Sequence, residues 1–322
     1  MKGIIIIFLQ KYCVAHPSIS FEVNTMHKTF FLFQLALLPF SQSVIAQTSF
    51  WNSRNAYLGQ ALPGDTPKVF APGLLAGKGE FSANRTAISA DGKEIYFCTN
   101  TTWANDNDLK VKYFKYNGKK WIGPILLNKY LEAAAFSPDD KTLYFTSDDT
   151  ANVVFRSTRT KTGWGPTTRY LVRNYVMYDF MPARNGNKYV ASNGTWKEMR
   201  FSMMPASDAD TSIKNLGPPL NAPGFNGDFF IAPDESYMII STKETRHFEC
   251  ELYISFRKKD KTWTTPKSLG PLVNDGTAHR YGQYVSPDGK YLFYTRGESP
   301  KDCAIYWVRF DRLLKKLKPA GL

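Results

Sequence analysis

Cysteine and histidine are both scarce in this 322-residue chain, with four of each. Four cysteines cannot staple a chain of this length, and none falls in the paired C-x-x-C spacing of a zinc site. With so few histidines and no G-x-S-x-G elbow, there is little from which to build a Ser-His-Asp triad or a histidine-rich metal centre. Calcium has no better footing, because Asn105-Asp106-Asn107-Asp108 and Asp148-Asp149 lack the glycine and terminal glutamate of an EF-hand loop and read as solvated turns. Neither a metal nor a cofactor is expected. Apolar and aromatic residues are plentiful, at 43% and 15% against 21% charged, which suits a packed core and argues against disorder. The net charge of +13 bears on association and solubility. Its lysines and arginines are scattered over Lys110–Lys120, Arg257–Lys261 and Arg312–Lys318 instead of alternating with aromatics, so no nucleic-acid platform is expected.

Residues Phe30–Phe40 form an apolar run of signal-peptide length, preceded by His27 and Lys28 and followed by polar Ser41-Gln42-Ser43 and the small-x-small-like Val44-Ile45-Ala46. Eleven residues fall short of the roughly 20 that a membrane-spanning helix needs. Met26 therefore reads as the start, residues 1–25 as an upstream extension, and 1–46 as removed on export to the periplasm or beyond, with no cysteine placed for a lipid anchor. The remaining 47–322 would be one domain with a balance of 38 basic to 27 acidic residues and no membrane span. It keeps two histidines, His247 and His279, and three cysteines, Cys98, Cys250 and Cys303. An odd number leaves at least one thiol outside any intrachain disulfide, and burial is the common fate of such a thiol in a strand.

A repeat governs the rest of the chain. Ile88-Ser89-Ala90-Asp91-Gly92-Lys93-Glu94-Ile95-Tyr96-Phe97 recurs at Phe136–Phe145, Ile231–Ile240 and Val285–Tyr294, with a worn copy at Pro182–Val190. The markers Asp91, Asp139, Asn185, Asp234 and Asp288 are spaced by 48, 46, 49 and 54 residues. In each unit an apolar run enters a Ser-Pro-Asp-Gly turn and leaves as alternating β-formers, which predicts a hairpin. A third strand follows at Leu109–Tyr116, Val153–Thr158, Met199–Met203, Leu252–Phe256 and Ile305–Phe310. A Trp/Pro turn (Trp121, Trp164, Trp263) then leads to a fourth strand ending in Leu216–Asn221 or its copy Leu269–Asn274. Four strands per unit make a propeller blade. The last unit stops after its third strand and runs into a basic, helical tail at Asp311–Lys318, whereas Thr66–Leu75 reads as a fourth strand with no strands before it. The prediction is all-β: a five-bladed β-propeller, with six blades as the alternative, closed by the N-terminal strand completing the last blade.

Ser-Pro-Asp-Gly-Lys followed by Leu-Tyr-Phe resembles the WD40-like, TolB-type β-propeller repeat of exported bacterial proteins. The opening Tyr57-Leu58-Gly59-Gln60 with Phe70-Ala71-Pro72-Gly73, the Ile231–Tyr237 block and the Ile305-Tyr306-Trp307-Val308 ending carry the same likeness, over residues 55–318. The resemblance implies a propeller and leaves function open, since propellers host both binding and catalysis. The third unit has lost its Ser-Pro-Asp, and Asp140 and Glu235 replace the turn glycine.

On a propeller, the residues ahead of each turn line the central channel near the face opposite the turns. They are Asn84 and Arg85, Glu132, Tyr178 and Asp179, Asp228, and Arg280 and Tyr281. The joining loops add Trp103, Trp196, Arg246 and His247. Trp121, Trp164 and Trp263 recur in one register and read as structural, while Trp103 and Trp196 fall outside it and are candidates for ligand contact. Three acids with aromatics and arginines nearby could serve a sugar site, so Glu132, Asp179 and Asp228 are the catalytic residues of an alternative carbohydrate-active hydrolase. The leading expectation is a non-enzymatic propeller binding a protein partner or a glycan, as a monomer or a component of an envelope complex. In that reading the inner-strand acids accept hydrogen bonds from neighbouring blades and pair with Arg85 or Arg280. Amide substitution of Asp179 or Asp228 would then leave folding largely intact.

Overall fold

The computed structural model describes residues 49–102, 108–192, 199–221, 226–242, 245, 247–299 and 301–322. Its strands are β1 (Lys68–Val69), then β2 (Phe81–Ile88), β3 (Glu94–Asn100), β4 (Lys110–Tyr116) and β5 (Trp121–Lys129), which form blade one. Blade two is β6 (Glu132–Phe136), β7 (Thr142–Thr146), β8 (Val153–Thr158) and β9 (Thr168–Val172). Blade three is β10 (Tyr178–Pro182), β11 (Lys188–Ser192), β12 (Arg200–Met204) and β13 (Lys214–Asn215). Blade four is β14 (Asn226–Ile231), β15 (Tyr237–Thr242), β16 (Glu251–Phe256) and β17 (Lys267–Ser268). Blade five is β18 (His279–Val285), β19 (Tyr291–Ser299) and β20 (Asp302–Arg309), followed by helix α1 (Asp311–Leu317). The inner strands β2, β6, β10, β14 and β18 each contact the next, and β18 returns to β2. The chain is a five-bladed β-propeller.

The turn motif has a physical reason. In blade one the Ser89 hydroxyl donates to Asp91 (2.7 Å) and accepts the Glu94 amide (2.9 Å), while Asp91 also accepts the Lys93 amide (3.0 Å). Ser137 with Asp139 and Ser286 with Asp288 repeat this clasp. A short side chain at each end thereby satisfies backbone groups that a two-strand turn would leave open. Where glycine is missing, Asp140 and Glu235 adopt the same positive φ, 61° and 60°. Each also holds the arginine that directly follows its own blade's third strand: Arg159 lies 3.5 Å from Asp140 and 3.0 Å from Glu94 of blade one, and Arg257 pairs with Glu235. Asn187 and Tyr189 of blade three donate to Glu235 as well (2.9 and 2.8 Å). A conformation unfavourable to a side chain is kept because that side chain ties neighbouring blades together.

The outer strands β13 and β17 are shorter than the repeat suggests, with two residues each. Beyond them an asparagine side chain substitutes for strand pairing. Asn221 accepts the Phe201 amide (2.8 Å) and donates to its carbonyl (2.8 Å), and Asn274 does the same for Leu252 (2.8 and 3.0 Å). That is the role of the final asparagine in Leu216–Asn221 and Leu269–Asn274. The repeated tryptophans are structural: Trp164 donates to the Tyr96 hydroxyl of the preceding blade (2.5 Å) and lies under Arg159, and Trp263 is buried. Cys98, Cys250 and Cys303 are all buried.

β1 pairs antiparallel with β20, Lys68 opposite Trp307 and Val69 opposite Tyr306, as the outermost strand of blade five. Residues 50–60 add a strap that the repeat pattern does not reveal. Tyr57, at positive φ, is buried against Tyr291 and Trp307 and donates to Asp288 of the blade-five turn (2.7 Å). On blade one, Trp51 donates to the Ala90 carbonyl (3.2 Å), Asn55 donates to the Tyr116 hydroxyl (2.8 Å) and Trp121 donates to the Asn55 carbonyl (2.7 Å). Gly92 is required beneath the strap, since a Cβ there would sit 3.0 Å from the Trp51 ring. The strap thus joins the turns of the first and last blades.

A chain beginning at residue 77 lacks both strap and β1. Its thermal midpoint is expected to fall by roughly 10 °C or more, with Tyr57→Phe alone costing about 1 kcal/mol; a truncated chain that melts with the full-length one would refute closure by these residues. Burial pushes the Asp140 carboxyl up to about 6, against the opposing Ala90 amide and Arg159. Between about pH 4, where an unfolded aspartate releases its proton, and about 6, the folded state retains that proton, so stability falls as pH rises through this window. Thermal melts of Asp140→Asn across pH 4–7 should therefore lack this component and gain on wild type toward pH 7.

Candidate functional site

Every inner strand carries a bulge shortly before its turn, at Ala83/Ala87, Glu132/Ala135, Tyr178/Met181, Asn226/Phe229 and Tyr281/Tyr284. A bulge bends the strand and re-aims its side chains, and here all five lie at the same level of the ring. Six residues before the turn marker stand Arg85, Ala133, Asp179, Asp228 and Gly282. Positive φ at Ala133, Asp179 and Gly282, and at Asn84 one residue earlier in its own repeat, marks the same kink. Only glycine fits at 282, where a Cβ would come within 2.6 Å of the Asn84 carbonyl oxygen of blade one.

The sequence-predicted acids and Arg85 do converge, and they consume one another. Arg85, 1% exposed, crosses the axis from blade one: its guanidinium donates to the Ala133 carbonyl of blade two (3.2 Å) and to the Phe180 and Asp179 carbonyls of blade three (both 3.0 Å), and it pairs with the Asp179 carboxylate. The other Asp179 oxygen accepts the Phe229 amide of blade four (2.7 Å). Asp228 accepts the Gly282 amide of blade five (2.6 Å), and the Gln283 amide group donates to the Asp228 carbonyl (2.5 Å). Glu132 accepts from Asn84, and Thr295 donates to the Asn84 carbonyl (3.1 Å). One chain of contacts therefore runs through all five blades.

Three buried carboxylates share one buried arginine. Burial raises the Asp228 carboxyl above the ordinary range, against the Gly282 amide, the Arg85 charge and a hydrogen bond from Tyr178. Burial also pulls Arg85 down to about 10, which leaves it cationic at neutral pH. Asp179 has both oxygens engaged, one by Arg85 and one by the Phe229 amide, so this acid of the channel is held in a structural ion pair. Substituting it should disturb folding, contrary to the expectation drawn from repeat topology.

Arg280 does not join this group. Its guanidinium donates to the carbonyls of Val273 (3.0 Å), Cys250 (3.0 Å), Gly276 (3.2 Å) and Asp275, clamping the loop that leads into blade five. Tyr281 is buried, with its ring stacked on His279 at 4.3 Å and its hydroxyl 3.7 Å from Cys303 Sγ. Burial pulls His279 down to about 3, so it is neutral. Tyr178 is half-buried and His247 is exposed. Trp103, Trp196 and Arg246 lie outside the described residues. Gln283 belongs to the site without having been singled out among its candidates; the available signal was a polar side chain on an inner strand, one residue beyond the register of Arg85 and Asp179. Among the described residues no cluster of His, Cys, Asp and Glu is placed to hold a metal, and no helix is long and apolar enough to cross a membrane.

Asp179→Asn removes the carboxylate that pairs directly with the buried Arg85 and is expected to cost about 3 kcal/mol, read from urea unfolding. The pair Arg85→Met with Asp179→Leu should not recover that loss, since the Ala133, Asp179 and Phe180 carbonyls and the Phe229 amide lose their partners and the buried Glu132 and Asp228 lose their counter-charge. A wild-type unfolding midpoint for Asp179→Asn would show that the ion pair is not structural.

No protein-family model matches the chain, and no curated protein matches it. Solved structures that it resembles include TolB from Acinetobacter baumannii, at 14% identity and a TM-score of 0.42, covering 69% of this chain and 53% of that one. Another is the periplasmic gluconolactonase PpgL of Pseudomonas aeruginosa, at 12% identity and a TM-score of 0.39, with 66% and 65% covered. A third is a putative 6-phosphogluconolactonase from Bacteroides uniformis, at 13% identity and a TM-score of 0.36, with 69% and 83% covered. The chain spans about half the length of the TolB chain.

Proposed function

We propose that the protein is an exported, non-enzymatic β-propeller that binds a protein partner or a glycan at the channel mouth opposite its Ser-Pro-Asp-Gly turns. The observation that carries this is the asymmetry between the two faces. The turn face is occupied by the protein's own contacts: the strap anchors on Ala90 and Asp288, and the Asp140 and Glu235 turns are committed to Arg159 and Arg257. The opposite mouth differs from blade to blade, presenting Asn84 with Glu132, Tyr178 with Asp228, and the aromatic stack of His279 on Tyr281. Ligand-specific surfaces are built where repeats diverge. The expected export signal at residues 26–46 places this surface in the periplasm or outside the cell.

One observation favours the alternative, a carbohydrate-active hydrolase. Asp228 carries a raised carboxyl, the property a general acid needs. Asp179 is withdrawn from that scheme by Arg85, which leaves Glu132 as its partner acid.

The two readings separate on a glycan array and an envelope-fraction cross-linking experiment, run beside turnover of p-nitrophenyl glycosides. Tyr178→Ala, Asp228→Asn and His247→Ala are expected to weaken capture at least tenfold while melting within a few degrees of wild type. Asp91→Asn and Asp139→Asn on the turn face should bind as wild type. Equal losses from both faces would sink the single-mouth reading, and glycoside turnover abolished by Asp228→Asn would establish the hydrolase.

A further inference from the structure

At the rim between blades four and five, away from the channel, a cavity of about 300 Å³ opens between the Leu269–Val273 segment and α1. Its walls are apolar on both sides. Leu269 is buried, Leu272 is 53% exposed, and Leu313 packs from the helix. The helix residues Arg312 and Lys316 also line it, four apart and therefore on one helical face.

The cations at this rim are not equally available. Arg309 is committed to Asp311 through two hydrogen bonds, Nε to Oδ1 at 2.5 Å and Nη2 to Oδ2 at 2.7 Å. Arg312 lies 4.0 Å from Asp65 with both side chains about two-thirds exposed, a contact worth little in water. Lys316 enters no ion pair among the described residues, and Lys315 and Lys318 lie beside it. An apolar cavity is thus edged by two accessible positive charges and one exposed carboxylate, Asp65, on a chain that is basic overall.

We propose that this cavity is a docking site for an extended segment of a protein partner that carries carboxylates on either side of an apolar side chain. The apolar residue enters between Leu272 and Leu313, and the carboxylates meet Arg312 and Lys316. Charge complementarity selects an acidic segment. A cleft of this volume suits one inserted side chain better than a flat bilayer surface, and two cations are too few to track a polynucleotide. The site is independent of the channel mouth and would let the propeller hold a second partner.

The test is fluorescence anisotropy of a fluorescein-labelled Glu-Leu-Asp-Phe-Glu peptide with residues 47–322, in 50 and 500 mM NaCl. Saturable binding below about 1 mM is expected, weakened several-fold by the higher salt. Arg312→Glu with Lys316→Glu should weaken binding at least tenfold, as should Leu272→Asp, while all three positions are surface ones and the variants should melt as wild type. Tyr178→Ala at the mouth should leave peptide binding unchanged. The proposal is overturned by absence of saturable binding, by equal affinity for the Lys-Leu-Lys-Phe-Lys peptide, or by variants that bind as wild type. Charge-dependent sedimentation with phosphatidylglycerol vesicles in place of peptide binding would overturn it in favour of a lipid surface.

Discussion

The Arg85 guanidinium on the propeller axis is the contact from which the rest of the ring is organised. Five blades leave a narrow channel, and the bulged inner strands bring unpaired backbone carbonyls toward its centre. Arginine answers this geometry because its planar fork offers five donors. Three carbonyls and one carboxylate from blades two and three accept from it. Asp179 then reaches blade four, Asp228 reaches blade five, and Thr295 and Gly282 bring blade five back to Asn84 beside Arg85. Apolar packing supplies most of the driving force for folding, while this polar hub specifies which blade stands next to which.

The two faces of the ring divide the work. On the turn face, chemistry repeats: a Ser-Asp clasp in each well-preserved turn, an acid at positive φ where glycine is absent, and a strap that ties the last turn to the first. Repetition there serves the fold, since each blade faces the same problem of capping a hairpin. At the other end of the inner strands the side chains differ from blade to blade, with Tyr178 half-buried and Asp228, Glu132 and Tyr281 buried.

Much of this was legible in the residues. The spacing of Asp91, Asp139, Asn185, Asp234 and Asp288 is a local property, because a clasp closes over five residues regardless of what lies around it, and so blade number and hairpin positions could be read directly. The common register of Trp121, Trp164 and Trp263 likewise betrayed a structural role. Less legible was Tyr57, whose partner Asp288 lies 231 residues away, and no local pattern announces such a contact. The exact outer strands were also obscured, since Asn221 and Asn274 imitate strand pairing with side chains.

Arg85, Asp179, Asp228 and Arg280 mark the boundary between the two kinds of knowledge. That charged residues occupy inner strands near one mouth follows from position in the repeat, which sets distance from the axis. What each one does there depends on contacts across the ring, between residues 94 apart for Arg85 and Asp179 and only seven apart for Arg280 and Val273. Two arginines in corresponding strands thus came to opposite ends, one a hub and the other a loop clamp. Repeat spacing determines which level of the propeller a side chain occupies; only the closed ring, with its bulged inner strands set side by side, decides which partner it meets.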